Sequence, residues 1–280
     1  MPSPTSSKTI ARVTNAIQKL YPLHLADKSW DNTGLLVDSS SETAPESEEK
    51  CKILLTIDLT QSVASEAVKN NSNVVIAYHP FIFRGLKSIT PKDPQQKSLL
   101  RLIQNNISVY SPHTAVDSAK GGVNDFLADG ISGSFKESTR EVILPDSKEE
   151  GCGMGRLVTL AQSAPLSELV NNVKSSLNLT HVQVATARKS DSTQAIRTIA
   201  ICAGSGGSVF KGTHADLYFT GELSHHEALY FTETGSSVVA CNHTNTERAF
   251  LRVLKSQLEK ELPEAEIEVS QVDRDPFETW

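Results

Sequence analysis

Short unbroken apolar runs alternate along this chain with stretches whose apolar residues recur every three or four positions, and the alternation predicts an α/β fold. Residues 52–58 (KILLTID) and 74–78 (VVIAY) are apolar enough for strands buried on both faces. Residues 61–69 between them read as a helix, so the three pieces form a strand, helix, strand unit with a parallel pair and a right-handed crossover. Ile10, Val13, Ile17 and Leu20 fall at helical spacing and predict an amphipathic first helix. Residues 95–105 predict another, with Leu99, Leu102 and Ile103 turned inward, followed by a strand at 107–110 and a helix at 123–129. Beyond a glycine- and serine-rich stretch at 130–155, containing one strand-like piece at 141–144, the pattern gives strands at 157–161, 182–185, 198–203, 216–220 and 238–241. Helices are expected at 166–177 and over GELSHHE at 221–227, then one long helix at 244–258 and a last strand at 266–272. ILLTID, a helix and VVIAYHP are echoed by TIAICAG, a helix and DLYFTGELSHH. The echo suits two similar α/β domains, the first formed by 1–135 plus 236–280 and the second by 136–235.

Composition narrows the class without changing the fold. Of 280 residues 38% are hydrophobic and 21% charged, ordinary values for a globular chain. The longest apolar runs are too short to span a bilayer, and no signal-like apolar core follows the start, so the expected compartment is the cytoplasm, with mitochondrion and nucleus as alternatives. Residues 1–26 carry Lys8, Arg12 and Lys19 without an acidic residue, which loosely resembles a transit segment, but the helical spacing favours the first helix of the fold. Residues 39–49 (SSSETAPESEE) read as a solvated loop. A net charge of −6 excludes broad electrostatic attraction to nucleic acid or anionic membrane. Four scattered cysteines, Cys51, Cys152, Cys202 and Cys241, form no CxxC spacing, so any metal must be held by imidazole and carboxylate.

The candidate chemistry sits where strands end. In open α/β sheets ligands gather at the carboxyl ends of parallel strands. Tyr78 and His79 follow one run, His113 and Asp117 another, and His243 and Glu247 a third. If Asn242 or Thr244 caps a helix, His243 and Glu247 lie four positions apart and can face one cation together. Such a donor set without sulfur favours zinc, manganese, iron or cobalt. The fold class expected is therefore α/β, with two similar domains of mainly parallel strands facing a central metal cleft. Glu222, His225 and His226 share a helix start and could act as general acid or base. Arg84 and Lys87 could clamp a small anionic substrate, and the loop 204–208 (GSGGS) could bind phosphate through backbone N–H groups.

Five ordered motifs, WDNTGLLV, VIAYHPFIFRGLKSIT, SPHTAVDSAKGGVND, LYFTGELSHHEAL and NHTNTER, resemble the NIF-three-like family, also catalogued as GTP cyclohydrolase I type 2 homologues. The resemblance runs from the first helix to the last strand. It implies paired α/β domains around a centre of two divalent metal ions (Zn, Fe or Mn), assembled as a homohexameric ring. It makes His79, Asp117, His243 and Glu247 the metal ligands, with Glu247 bridging. Many relatives have two adjacent histidines where this chain has Tyr78-His79, which removes one imidazole from the first ion. Two functions follow as expectations: a metal-dependent hydrolase acting on a nucleotide or phosphoester, or a metal-binding scaffold for a transcriptional adaptor protein.

Overall fold

A computed structural model describes residues 4–45, 50–187 and 195–278 of the chain. The last four residues of the expected solvated loop, 46–49, and the first three of the loosely transit-like start lie outside the described residues. The helices are α1 (Ser7–Leu20), α2 (Gln61–Lys69), α3 (Pro94–Gln104), α4 (Thr114–Ser118), α5 (Val123–Ser132), α6 (Leu166–Leu177), α7 (His225–Glu233), α8 (Asn245–Arg248) and α9 (Leu251–Glu261). The strands are β1 (Gly34–Val37), β2 (Lys52–Thr56), β3 (Val74–Ala77), β4 (Ser108–Ser111), β5 (Glu137–Pro145), β6 (Gly153–Pro165), β7 (Gln183–Ala185), β8 (Ala195–Ser205), β9 (Leu217–Glu222), β10 (Ser237–Ala240) and β11 (Glu266–Val269).

One compact unit comprises residues 1–116 and 251–274. Its sheet has the order β1-β4-β3-β2-β11, and every pair is parallel except β1 with β4. Ile53, Leu54, Leu55 and all of β3 are buried, as continuous apolar runs in a parallel sheet require. Local chemistry fixes the helices. The Thr60 hydroxyl accepts from Val63 N at 3.3 Å to start α2, and the Asp93 carboxylate accepts from Gln96 N at 2.9 Å to start α3, with Pro94 in its first turn. Ile10, Val13 and Ile17 form the buried face of α1, as their spacing predicts.

The other unit comprises residues 117–250 and 275–280. Its sheet has the order β5-β6-β8-β9-β10-β7, with β8, β9 and β10 parallel and the flanking pairs antiparallel. Residues 117–135 and 236–250, which the sequence pattern grouped with the first domain, fall here. β10 hydrogen-bonds to β9 and β7, and Asn124 on α5 accepts from Ala203 N at 2.9 Å. A second difference lies in the tail: 244–258 is not one helix but α8 and α9, broken at Ala249 and Phe250. Phe250, at the break, is fully buried with its ring 5.8 Å from that of Phe126.

This unit also holds a buried charge network. Arg156 is 2% exposed and donates to both carboxylate oxygens of Asp125, at 3.0 and 2.9 Å, and to the carbonyls of Ala119, Gly153 and Gly155. Bidentate pairing with every donor satisfied is the arrangement in which a buried guanidinium is tolerated.

Candidate metal centre

In the first unit the carboxyl ends of β2, β3 and β4 are locked side by side. Tyr78 N donates to Thr56 O at 2.9 Å, His79 N to Ile57 O at 3.2 Å, and His113 N to Tyr78 O at 3.1 Å. The imidazoles of His79 and His113 thereby lie with ring centres 5.4 Å apart, edge to face. Each is gripped from behind by a carboxylate: Asp58 Oδ1 is 2.9 Å from His79 Nδ1, and Asp31 Oδ1 is 2.8 Å from His113 Nδ1. An ionised carboxylate can only accept, so Nδ1 carries a proton, and Nε2 is the nitrogen that holds the lone pair in the neutral ring. Burial works against the Asp31 charge, but the His113 imidazole, the Thr114 hydroxyl and Asn32 N outweigh it and hold the carboxyl below its usual range. Trp30 packs edge-on against His113, with ring centres 5.7 Å apart. Tyr78 is 1% exposed with its ring against both imidazoles.

In the second unit the ends of β8, β9 and β10 make a matching arrangement. Asn242 turns the chain with φ +65°, a value asparagine adopts more readily than most residues, and delivers His243. Glu222, the last residue of β9, accepts from His243 Nδ1 at 2.9 Å, which again leaves Nε2 as the lone-pair nitrogen. One helical turn on, the buried Glu247 places Oε1 3.4 Å from His243 Nε2. The sequence left open whether Asn242 or Thr244 caps this turn; it is Thr244, without a side-chain cap bond. Thr246 ties the turn to β8: its hydroxyl donates to His243 O at 2.7 Å and accepts from Gly204 N at 2.9 Å. Gly204, at φ +61°, leaves room for the donors, since a Cβ there would lie 2.9 Å from His243 Nε2 and 3.0 Å from Glu247 Oε1.

Asp117 is 8% exposed, and its backbone carbonyl accepts from the same Asn124 that binds Ala203. Cys202 next door is fully buried. Burial first, and then the Asp117 and Glu247 carboxylates, push its thiol far above the usual range, so it stays protonated beside them. Burial likewise pushes Cys241 up to about 12. The donors brought together at these strand ends are imidazole nitrogen and carboxylate oxygen. That set fits a zinc-, iron- or manganese-type cation.

Other sequence-predicted residues fall differently. His225 and His226 are exposed on the first turn of α7, with rings 5.4 Å apart. Glu222, expected on the same helix face, instead ends β9 and holds His243. Arg84 and Lys87 are exposed. The glycine loop is not arranged for phosphate: a Cβ at Gly206 would strike Phe210 and Thr220, and one at Gly207 would fall 2.1 Å from the Glu227 carboxylate. Close packing explains those glycines, and Glu227 supplies charge of the wrong sign for an anion. Asp31 and Asp58 were not recognised from sequence as histidine partners, although both stand in turn or strand-end positions that the pattern marked.

The chain is an α/β protein with carboxylate-held histidines at the ends of parallel strands in both of its units, a candidate set of metal donors. Its residues 8–276 match the family Duf34/NIF3 (NGG1p interacting factor 3), and the chain belongs to that family. It is 46% identical over 277 residues to NGG1-interacting factor 3 of Saccharomyces cerevisiae, covering 95% of each chain. To the NIF3 homolog of Schizosaccharomyces pombe it is 45% identical over 278 residues, covering 96% of this chain and 97% of that one. The crystal structure of a Bacillus cereus protein related to NIF3 superposes over the whole of both chains with a TM-score of 0.79 at 21% identity, a likeness of fold. The α/β fold expected from the sequence is the fold found.

Proposed function

We propose that this protein is a divalent-metal-dependent hydrolase acting on a nucleotide or other phosphoester-like substrate. The observation that carries the reading is that His79 and His243 are each held through Nδ1 by a carboxylate, which presents Nε2 as a donor. Metal-ligating histidines usually donate their other ring N–H to such a partner. In this reading His79 joins His243 and the buried Glu247 as one donor group. Asp117 would complete the set for two ions of the zinc, iron or manganese type, to which Glu247 would be common. Bound there, divalent cations supply Lewis-acid polarisation of the bond under attack.

The chain's own residues do the rest. Asp58 and Glu222 orient the imidazoles, Tyr78 excludes water beside His79, and His225 or His226 moves protons from the exposed start of α7. Arg84 and Lys87 attract the anionic substrate. A homohexameric ring is the assembly proposed, in the cytoplasm, with mitochondrion and nucleus as alternatives. Purified protein restored with zinc, iron or manganese should hydrolyse members of a nucleotide and phosphoester panel; a panel on which Glu247→Ala equals the wild type overturns the reading.

A second reading is supported by the name of the yeast relative, an NGG1-interacting factor. In it the metal centre is structural, and the protein is a scaffold that binds a transcriptional adaptor. Pull-down with native and metal-stripped protein separates the two readings. The scaffold predicts partner capture that depends on metal and no turnover on any substrate.

A further inference from the structure

Two large aromatic side chains stand in water beside the histidine pair of the first unit. Trp30 is 51% and Phe83 47% exposed, with ring centres 6.0 Å apart and planes tilted by 51°. The Trp30 ring meets that of His113 at 5.7 Å, and His113 meets His79 at 5.4 Å. Four rings thus run in contact from solvent to the imidazole that the hydrolase reading assigns to metal. Leu86 and Ile89 extend the exposed apolar surface along the same segment, but of these four side chains only the aromatic pair joins the run of rings.

The indole is fixed before any ligand arrives. Its Nε1 donates to Asp27 Oδ2 at 2.9 Å, while Asp27 Oδ1 accepts from Ser29 N and from the Ser29 hydroxyl at 3.0 and 2.6 Å. Asp27 N donates to the Thr114 hydroxyl at 3.0 Å, which ties the loop to the residue after His113. On the other side of Trp30, the Asn32 side-chain amide donates to Ile82 O, next to Phe83. With its one N–H already bonded, the indole offers a ligand ring surface rather than a hydrogen bond. A side chain held in place beforehand also lowers the ordering cost of binding. Rings 6.0 Å apart and tilted are too close to sandwich a third, but they form a corner where a flat ring can stack on one and meet the other at an edge. Arg84, the next residue, is exposed and sets a positive charge at the same rim.

We propose that Trp30 and Phe83 form the platform on which the flat ring of a nucleobase stacks, so that the site prefers nucleotides to phosphoesters of a sugar or an alkyl chain. The proposal rests on the hydrolase reading for the place of the reacting group, beside His79, and on the ring contacts for the place of the base.

The chain has two tryptophans, Trp30 and Trp280, so in a Trp280→Phe background the indole emission reports on the platform alone. Adenosine and adenosine 5′-monophosphate should each quench it saturably, in metal-restored and in chelator-treated protein, because stacking needs no metal. Ribose 5-phosphate should leave it unchanged. By calorimetry, Trp30→Leu and Phe83→Leu should each weaken adenosine 5′-monophosphate about tenfold and leave ribose 5-phosphate as in the wild type, while Trp30→Phe, which keeps a ring, loses less than about threefold. Phe83→Leu, at an exposed position, carries the test if Trp30→Leu disturbs the fold. The platform is overturned if neither ligand with a base quenches Trp30 up to millimolar concentration, or if ribose 5-phosphate binds as tightly as the nucleotide. Emission that changes on protein dilution and not with adenosine also overturns it, because the patch is then a contact between copies of the chain. Quenching by adenosine in a protein that hydrolyses nothing upholds the platform and removes the hydrolase reading; hydrolysis of adenosine 5′-monophosphate and ribose 5-phosphate with equal kcat/KM does the reverse.

Discussion

The Glu222 carboxylate tests most sharply whether His243 is prepared to bind metal. Its Oε1 accepts from His243 Nδ1 at 2.9 Å while the side chain remains 54% exposed, so it serves the imidazole and little else. Replacing it with alanine frees the ring to rotate and to take the other tautomer. Loss of such a partner weakens metal binding roughly 10- to 100-fold, about 1.4 to 2.7 kcal/mol. The substitution leaves the β9 backbone pairing intact, and an exposed change of this kind alters folding stability by about 0.5 kcal/mol or less. Zinc titration by calorimetry should therefore show the drop in affinity, while urea unfolding of the metal-free protein stays close to wild type. Glu222→Gln, which keeps an acceptor, should fall between. The reasoning is refuted if Glu222→Ala binds zinc as the wild type does, or if the metal-free variant is destabilised as much as its affinity is lowered.

Three further outcomes follow from the geometry. Gly204→Ala should cost about 1–2 kcal/mol of stability from its φ of +61° and should also block metal uptake, because the new methyl group meets His243 Nε2 and Glu247 Oε1. Elemental analysis beside denaturant unfolding reads both effects, and normal metal content would contradict the cradle. Arg156→Ala takes the bidentate partner from the half-buried Asp125, leaving it Arg140, and should destabilise the fold by about 3–5 kcal/mol in urea; a loss below about 1 kcal/mol would place the pair among those that contribute little. Asp125 also sets an acid limit. Burial works to raise its pKa, but Arg156, Gly121 N and Arg140 outweigh burial and leave it below the usual value. A carboxyl depressed in the folded state contributes stability that is complete above its unfolded pKa and is lost as pH falls through the folded one. Stability measured from pH 6 downward should accordingly begin to fall near the ordinary aspartate range, about pH 4, and Asp125→Asn, already weakened at neutral pH, should show a shallower fall.

The sequence pattern disclosed elements whose signals are local. Strands β2 and β3 were legible because residues buried on both faces leave an unbroken apolar run, and α2 and α6 because their spacing and flanking residues agree. The strand ends carrying His79 and His243 were legible for the same reason: the apolar run stops where the polar residue begins. What escaped depends on contacts far apart along the chain. Asp31 reaches His113 across 82 positions, and no local periodicity marks that pairing. β10 joins β9 and β7 rather than the first sheet, which moved residues 236–250 to the other unit. The break of the tail helix at Ala249 and Phe250 falls in a stretch without glycine or proline, so no local signal marks it. Glu222 was noticed as a residue near the chemistry, yet its hold on His243 depends on β9 and β10 lying side by side.

The measurement that bears most directly on the central claim is the divalent metal content of the wild type, His79→Ala, His243→Ala and Glu247→Ala proteins after metal restoration and gel filtration, read beside their thermal unfolding. A joint metal centre predicts stoichiometric metal in the wild type and a substantial loss in each variant, with metal-free folding preserved. Variants that all retain the wild-type metal content would contradict it.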